Sequence, residues 1–427
     1  MHRLLALARN QSWGILGIYP ARELLRPLLY LQIWQFLEKA SRLLVIVVLA
    51  RAMNALELGI IAIAFSSFEV LKALSQNGAA QRVAAAQDAN LAIASRQTYA
   101  FQRNWILAVV AIQLACALIL SKVFDQPLAA LMLTLLTLEY LALPRISVSL
   151  GRALREVVTR EKVAHVAGIQ NVVSNMATLA LLLSWPHPLA LVAARILAIP
   201  VYYFGIQMLA PWRPDNCPSP RQPGLARFTT AVTISELAKA SRMHLDKVLI
   251  GGVLGLAALG EYFFAFSAGL GLANSLSVAL GTALFPFLAT AQDRRHALFY
   301  ALRLTMFSVV PIVFLQAYLA PFYVPLLFGE KWAHLHEVVS ILCLAAIPGT
   351  MWAAIAQYLR SIDKAWIETT GTLVQSATTA IITVLIAPHG LLALSWGYLF
   401  ATCAVTAGFA VPILWQMREC QTGRDER

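Results

Sequence analysis

The tetrapeptide Lys39-Ala40-Ser41-Arg42 recurs unchanged as Lys239-Ala240-Ser241-Arg242, and both copies lie in the middle of long apolar stretches. An ionisable side chain at bilayer depth costs at least about 2.5–3.5 kcal/mol on insertion scales, so it faces a water-filled cavity or a partner. Four cations supplied by two copies of one segment would line a cleft that attracts an anionic group such as a pyrophosphate or an acidic sugar. Arg suits forked contact with phosphate oxygens, and Lys adds a point charge. At 3.6 residues per turn Gln32, Gln35, Lys39 and Arg42 share one helix face, and Lys239, Arg242 and Asp246 share another, flanked by Glu236 and Lys247. Ser66, Glu69, Lys72 and Gln76 form a third polar face, which adds Lys72 to the candidate cations, while Glu139 and Arg195 stand isolated in apolar surroundings. The acids Glu38, Glu69, Glu236 and Asp246 are candidates for holding a coupling proton or cation. A structural reading competes: Glu38 with Arg42, and Arg242 with Asp246, have the i,i+4 spacing of ion pairs that merely lock helices.

Other chemistry is poorly provided for. The five cysteines (Cys116, Cys217, Cys343, Cys403, Cys420) have no C-x-x-C spacing and no companion histidine cluster, so neither a metal site nor a disulfide framework is indicated. No G-x-x-x-x-G-K-[ST] loop, G-x-S-x-G elbow or H-E-x-x-H pair occurs. No cofactor is expected, and an enzyme is a poor fit, because the loops opposite the basic side are too short to carry catalytic acids and bases. His187, His334, His336 and His389 fall in or near those loops and read as solvated side chains.

The elements that must position these charges are transmembrane helices. The chain has 427 residues, 59% of them hydrophobic and 13% charged, with mean hydropathy +0.69. A soluble domain carries about 25% charged residues, so lipid must be the main solvent. The apolar segments lack the strict alternation of a membrane barrel. The spacing predicts an all-α polytopic protein with twelve spans, at about 28–52, 56–80, 101–121, 127–148, 164–184, 189–209, 228–254, 260–288, 301–321, 336–358, 366–386 and 391–415. The first is too long and too charged for a cleavable signal and reads as a retained helix. Most Lys and Arg fall at the termini and in the loops after even-numbered spans, including Arg145, Arg152, Arg155, Arg160 and Lys162 in one loop. The other side holds Arg51, Lys122 and Lys331, which predicts that both termini are cytoplasmic. The net charge of +12 is thus a membrane signature and does not point to nucleic acid.

The tetrapeptide belongs to a longer repeat of about 200 residues. Trp185-Pro186-His187 is echoed by Ala387-Pro388-His389, Lys162 by Lys364, and Pro144 by Pro348. Six helices per copy is an even number, so the halves are parallel repeats about an axis along the membrane normal and enclose a central cavity. The expected organisation is a cytoplasmic interfacial segment 1–26, a six-helix bundle 27–210, a Pro-rich cytoplasmic linker 211–227, a second bundle 228–416 and a cytoplasmic tail 417–427. Pro286, Pro311 and Pro348 would bend helices, and Gly251-Gly252-x-x-Gly255 would allow close packing.

The segment LARAMNALELGIIAIAFSSFEVLKALSQNGAAQRV resembles the first-helix-pair signature of bacterial polysaccharide flippases of the multidrug/oligosaccharidyl-lipid/polysaccharide exporter superfamily. DKVLIGGVLGLAALGEYFFAFS is similar to the block that opens their second half, and VPLLFGEKWAHLHEVVSILCLAAIP to a third block. Together these blocks cover about a fifth of the chain, in the family's order. The resemblance implies two six-helix bundles around a central, often cationic cavity. It also implies a bacterial inner-membrane location and translocation of an undecaprenyl-pyrophosphate-linked oligosaccharide to the periplasmic leaflet by alternating access. It marks Arg51, Gly59, Gly78, Asp246, Gly255, Gly260 and Tyr262 as signature positions, and Arg51 thereby joins the candidate substrate-binding cations. Implied partners are the lipid-linked oligosaccharide, membrane lipid, and the polysaccharide polymerase and glycosyltransferases of the same assembly line. Two rival readings are a multidrug efflux antiporter of the same superfamily, which would prefer an anionic or aromatic cavity, and a non-transporting membrane scaffold for glycan assembly.

Overall fold

Apolar segments of this length satisfy their backbone groups internally only as helices, and among the described residues the chain is helical without a strand. The computed structural model of the protein describes residues 21–214, 225–290, 293–362 and 364–425. Most of the interfacial segment and of the linker therefore lies outside the described residues.

The first half contains α1 (Ala21–Ala52), α2 (Ala55–Ala73), α3 (Ala79–Ala85), α4 (Leu91–Lys122), α5 (Pro127–Leu136), α6 (Leu143–Ala153), α7 (Val157–Ser184) and α8 (Leu189–Leu209). The second contains α9 (Leu225–Leu254), α10 (Leu256–Thr290), α11 (Arg294–Tyr323), α12 (His336–Leu344), α13 (Ala346–Ser361), α14 (Ala365–Ile386) and α15 (Leu391–Asp425). The packing repeats with the sequence. α1 packs on α7 as α9 packs on α14, and α7 packs on α8 as α14 packs on α15. The halves meet where α2 packs against α9 and α10.

Among the described residues seven helices are long and apolar enough to cross a membrane, and eight if the bent pair α5–α6 forms one span. The expected count of twelve is not reached by this measure. α1, α2 and α9 fall short because they carry the charges discussed above, and of α10 only Leu256–Gly271 lies among the residues compared. The expected continuous span 127–148 is also corrected. The chain bends by 45° between α5 and α6, where Pro144 stands in the first turn of the restarted helix. Pro348 stands likewise near the start of α13.

The turn from α1 to α2 is short and closed by a capping box. Asn54 Oδ1 accepts from the Glu57 backbone N–H, and Glu57 Oε2 accepts from the Asn54 N–H, each at 2.9 Å. Asn54→Ala should cost about 1 kcal/mol, read as a lower unfolding temperature in detergent with the fold retained.

The expected close packing is found at Gly251, where a Cβ would stand 3.0 Å from Leu259 Cδ2 and 3.3 Å from Ile63 Cδ1, and is corrected at Gly252 and Gly255. A Cβ at either would meet nothing within 4 Å, and Gly255 is instead required by its φ of +83° in the α9–α10 turn. The close approach is at Gly59 and Gly260. A Cβ at Gly59 would stand 1.8 Å from the Leu256 carbonyl oxygen, and one at Gly260 would stand 1.8 Å from that of Ala55. Each helix thus lays a glycine on the first turn of the other, and the repeat relates the two contacts.

Candidate functional site

The last turns of α2 and the middle of α9 present polar faces to each other across the boundary between the halves. They flank an open cleft of about 210 Å³ lined by Glu69 from α2, Gln76 from the turn that follows it, and Glu236, Lys239, Met243 and His244 from α9. Lys239 Nζ donates to Glu236 Oε1 at 2.7 Å, one turn away, and keeps 60% of its side chain exposed. His244 shares this face of the cleft with Lys239 and stands opposite Glu69.

Behind the α2 wall the first half holds a four-membered charge network. The α8 side chain Arg195 spans two acids, with Nε on Glu139 Oε2 at 2.7 Å and Nη2 on Glu69 Oε1 at 2.8 Å. Lys72 completes the set by donating to the other Glu139 oxygen. Glu139 lies in the 3₁₀ turn Thr137–Tyr140 at the α5–α6 break, so the bend delivers this carboxylate to the network. The guanidinium also lies 4.8 Å from the centroid of Phe68 and 5.8 Å from that of Phe65. Two cations and two anions cancel, as charges removed from water require.

The second half neutralises its own charges differently. Asp246 and Lys247 keep only 7% and 6% of their side chains exposed. Lys247 Nζ donates to Asp246 Oδ1 and Oδ2 at 3.2 and 3.3 Å and to the Met243 carbonyl at 2.9 Å. It also sits 3.9 Å from the Phe266 ring centroid. Tyr262 donates to Asp246 Oδ2 at 3.1 Å, which gives the Asp246–Tyr262 spacing of the sequence signature a structural reason.

The structure therefore sorts the expected site residues. Glu69, Glu236 and Lys239 line the cleft, Arg42 is exposed on α1, and Lys39 is half-buried on the same helix. Lys72 is engaged by Glu139, and Asp246 by Lys247 and Tyr262. Among the described residues no ion pair joins Glu38 to Arg42, and the Glu38 carbonyl accepts from Ser41 Oγ at 2.8 Å. The side chains of Gln32, Gln35 and Arg242 lie outside the described residues. Arg51 is at the opposite end of the bundle, where its guanidinium donates to the carbonyls of Leu326 and Leu327. Sequence reasoning missed His244, and it separated Arg195 from Glu139, whose opposite charges in two otherwise apolar segments were the available signal.

A family model described as "Polysaccharide biosynthesis protein" matches residues 48–337, well over half of the chain. Over 129 residues the sequence is 29% identical to the lipopolysaccharide biosynthesis protein WzxC of Escherichia coli (strain K12). That match covers 28% of this chain and 25% of WzxC, so it spans about a quarter of that relative's length. Among solved structures the fold matches the lipid II flippase MurJ, in an inward closed conformation, with a TM-score of 0.74 at 12% identity over 90% of this chain and 87% of that one. It matches an inward-facing multidrug resistance MATE family transporter of the MOP superfamily with a TM-score of 0.69 at 14% identity, over 90% and 96% of the two chains. At these identities the likeness is one of fold.

Proposed function

The chain belongs to the polysaccharide biosynthesis protein family and shares its fold with membrane transporters, and on that premise we propose that it moves a lipid-linked oligosaccharide across the bacterial inner membrane. The carrier is of the undecaprenyl-pyrophosphate type, and both termini face the cytoplasm, as the distribution of Lys and Arg favours. Two six-helix halves, 27–210 and 228–416, related about an axis along the membrane normal, rock against each other around the central cleft. The head group enters between them from the cytoplasmic end while the polyprenyl tail stays in lipid.

The observation that carries this reading is the cleft itself. An amide, two carboxylates, an ammonium and an imidazole converge on one space between the halves. Such a mixture suits a hydroxyl-rich sugar, with Lys239 in the cleft and the exposed Arg42 of α1 as the cations proposed to meet the phosphate charge. The drug-antiporter alternative needs free carboxylates for a cationic ligand, but Glu69 is held by Arg195 and Glu236 by Lys239.

In a deletion strain, wild type should restore surface polysaccharide. Arg42→Ala/Lys239→Ala, expressed at wild-type level, should restore less than a tenth of it and leave lipid-linked glycan on the cytoplasmic leaflet. Full restoration by the double variant would favour the scaffold alternative, and a deletion without any glycan phenotype would remove the flippase reading.

A further inference from the structure

The end of the bundle remote from the cleft is closed by hydrogen bonds that cross between the halves. At the end of α1, Arg51 Nε donates to the Leu327 carbonyl at 2.8 Å and Nη2 to the Leu326 carbonyl at 2.7 Å. Those carbonyls belong to the π-turn Val324–Phe328 of the second half. In return, Lys331 Nζ donates to the carbonyls of Arg51 at 3.1 Å and Met53 at 2.6 Å, and Trp332 Nε1 donates to that of Ala50 at 2.8 Å. Trp332 is held for this by stacking on Phe264, with ring centroids 4.5 Å apart.

All five acceptors are backbone carbonyls at or just beyond the ends of helical segments, where no further turn supplies a donor. Water can replace the donors at the exposed contacts of Arg51 with Leu326 and Leu327 and of Lys331 with the Arg51 carbonyl, whereas the Trp332–Ala50 bond is buried. They are also one-sided. The α2–α10 crossing is reciprocal, and the offset of its glycines pairs Arg51 with Gly252 in the other half. Phe328-Gly329-Glu330-Lys331-Trp332 pairs with Phe124-Asp125-Gln126-Pro127-Leu128, and Gly329 and Asp125 share a positive φ, of 104° and 50°. Gly252, Pro127 and Leu128 have no side-chain donor. Two of the three cations expected on this side, Arg51 and Lys331, are thus committed to one asymmetric contact.

We propose that Arg51, Lys331 and Trp332 form a latch that holds this end shut and sets the resting protein inward-facing, and that the end opens on the latch side when the contact breaks. The three are positioning residues: they set the balance between access states without touching the head group. Calling the latched end the outer one rests on the orientation proposed above, but the latch itself does not.

The test is a distance measurement on the full chain in nanodiscs without substrate. The five cysteines are replaced, and spin labels are placed at Leu56 and Phe322, which are 52% and 67% exposed and lie on opposite sides of the latch. The unlatched protein should show a long-distance population at least tenfold larger, relative to the short one, in Arg51→Gln/Lys331→Gln. Lys122→Gln, the remaining basic residue of that end, should leave the distribution unchanged. Trp332→Phe keeps the stack on Phe264, loses one donor and should shift the ratio in the same direction by a smaller factor, which provides a result if the double variant does not fold. An unchanged distribution in the folded variants would overturn the latch. Because no substrate is present, that outcome is independent of whether the protein is a flippase.

Discussion

Arg195→Gln should be the most damaging single substitution in the first half. The change removes the cation that spans Glu69 and Glu139 and leaves Lys72 to face two carboxylates. Breaking a buried pair by deleting one partner costs about 3–5 kcal/mol. The Glu139 side chain keeps only 15% exposure and Glu69 31%, so a figure of about 3 kcal/mol, at the lower end of that range, is appropriate. Arg195→Lys should recover little, because a single ammonium cannot reproduce the fork across two acids. Thermal unfolding in detergent, followed by size-exclusion recovery, should show a large loss for both. The combination Arg195→Leu/Glu139→Gln/Glu69→Gln/Lys72→Met, which removes all four charges together, should regain most of the stability. If this fourfold variant were no better than Arg195→Gln, the network would owe its effect to shape rather than to charge balance.

The second large effect is expected at the crossing of α2 and α10. Gly59→Ala and Gly260→Ala each place a methyl group where a backbone carbonyl oxygen of the facing helix already lies, 1.8 Å from the new Cβ. Backbone cannot rotate away as a flexible side chain can, so the helices must separate. Overpacking costs typically about 1–3 kcal/mol, and this geometry belongs at the top of that range. Gly252→Ala is the control: the added Cβ meets nothing within 4 Å, and alanine in a helix gains about 0.5–1 kcal/mol over glycine. Unfolding temperatures should therefore fall for the two crossing variants and stay level or rise for Gly252→Ala. A Gly59→Ala protein as stable as the parent would contradict the close contact between the halves.

These contrasts show what could be read from residue order and what could not. The duplicated Lys-Ala-Ser-Arg segment, the polar faces of α1, α2 and α9, and the helical class all follow from spacing alone, because 3.6-residue periodicity and a 200-residue repeat are local or one-dimensional signals. The identity of a charge's partner is not such a signal. Arg195 and Glu139 are 56 residues apart and meet through the packing of the 3₁₀ segment Thr137–Tyr140 beside α8. The i,i+4 spacing offers Arg242 as one partner of Asp246, and it gives no sign of Lys247 and Tyr262, which hold the carboxylate. Glycine function was misplaced for a related reason. A GG-x-x-G string in an apolar stretch suggests packing, but which glycine meets a carbonyl depends on how two distant helices cross. Arg51 looked like a cavity cation and is a donor to carbonyls at the far end of the bundle.

The most direct test of the cleft as the carrier of an anionic, lipid-linked sugar is translocation by the purified protein in liposomes. Undecaprenyl-pyrophosphate oligosaccharide would be placed in one leaflet, and its arrival in the other followed by accessibility to an added glycan-modifying enzyme. Wild type should move the lipid at least tenfold faster than protein-free vesicles, and Arg42→Ala/Lys239→Ala should return the rate close to that background while remaining folded. A wild-type rate equal to protein-free vesicles, in a preparation that exports cationic drugs, or a double variant as fast as wild type, would contradict the account.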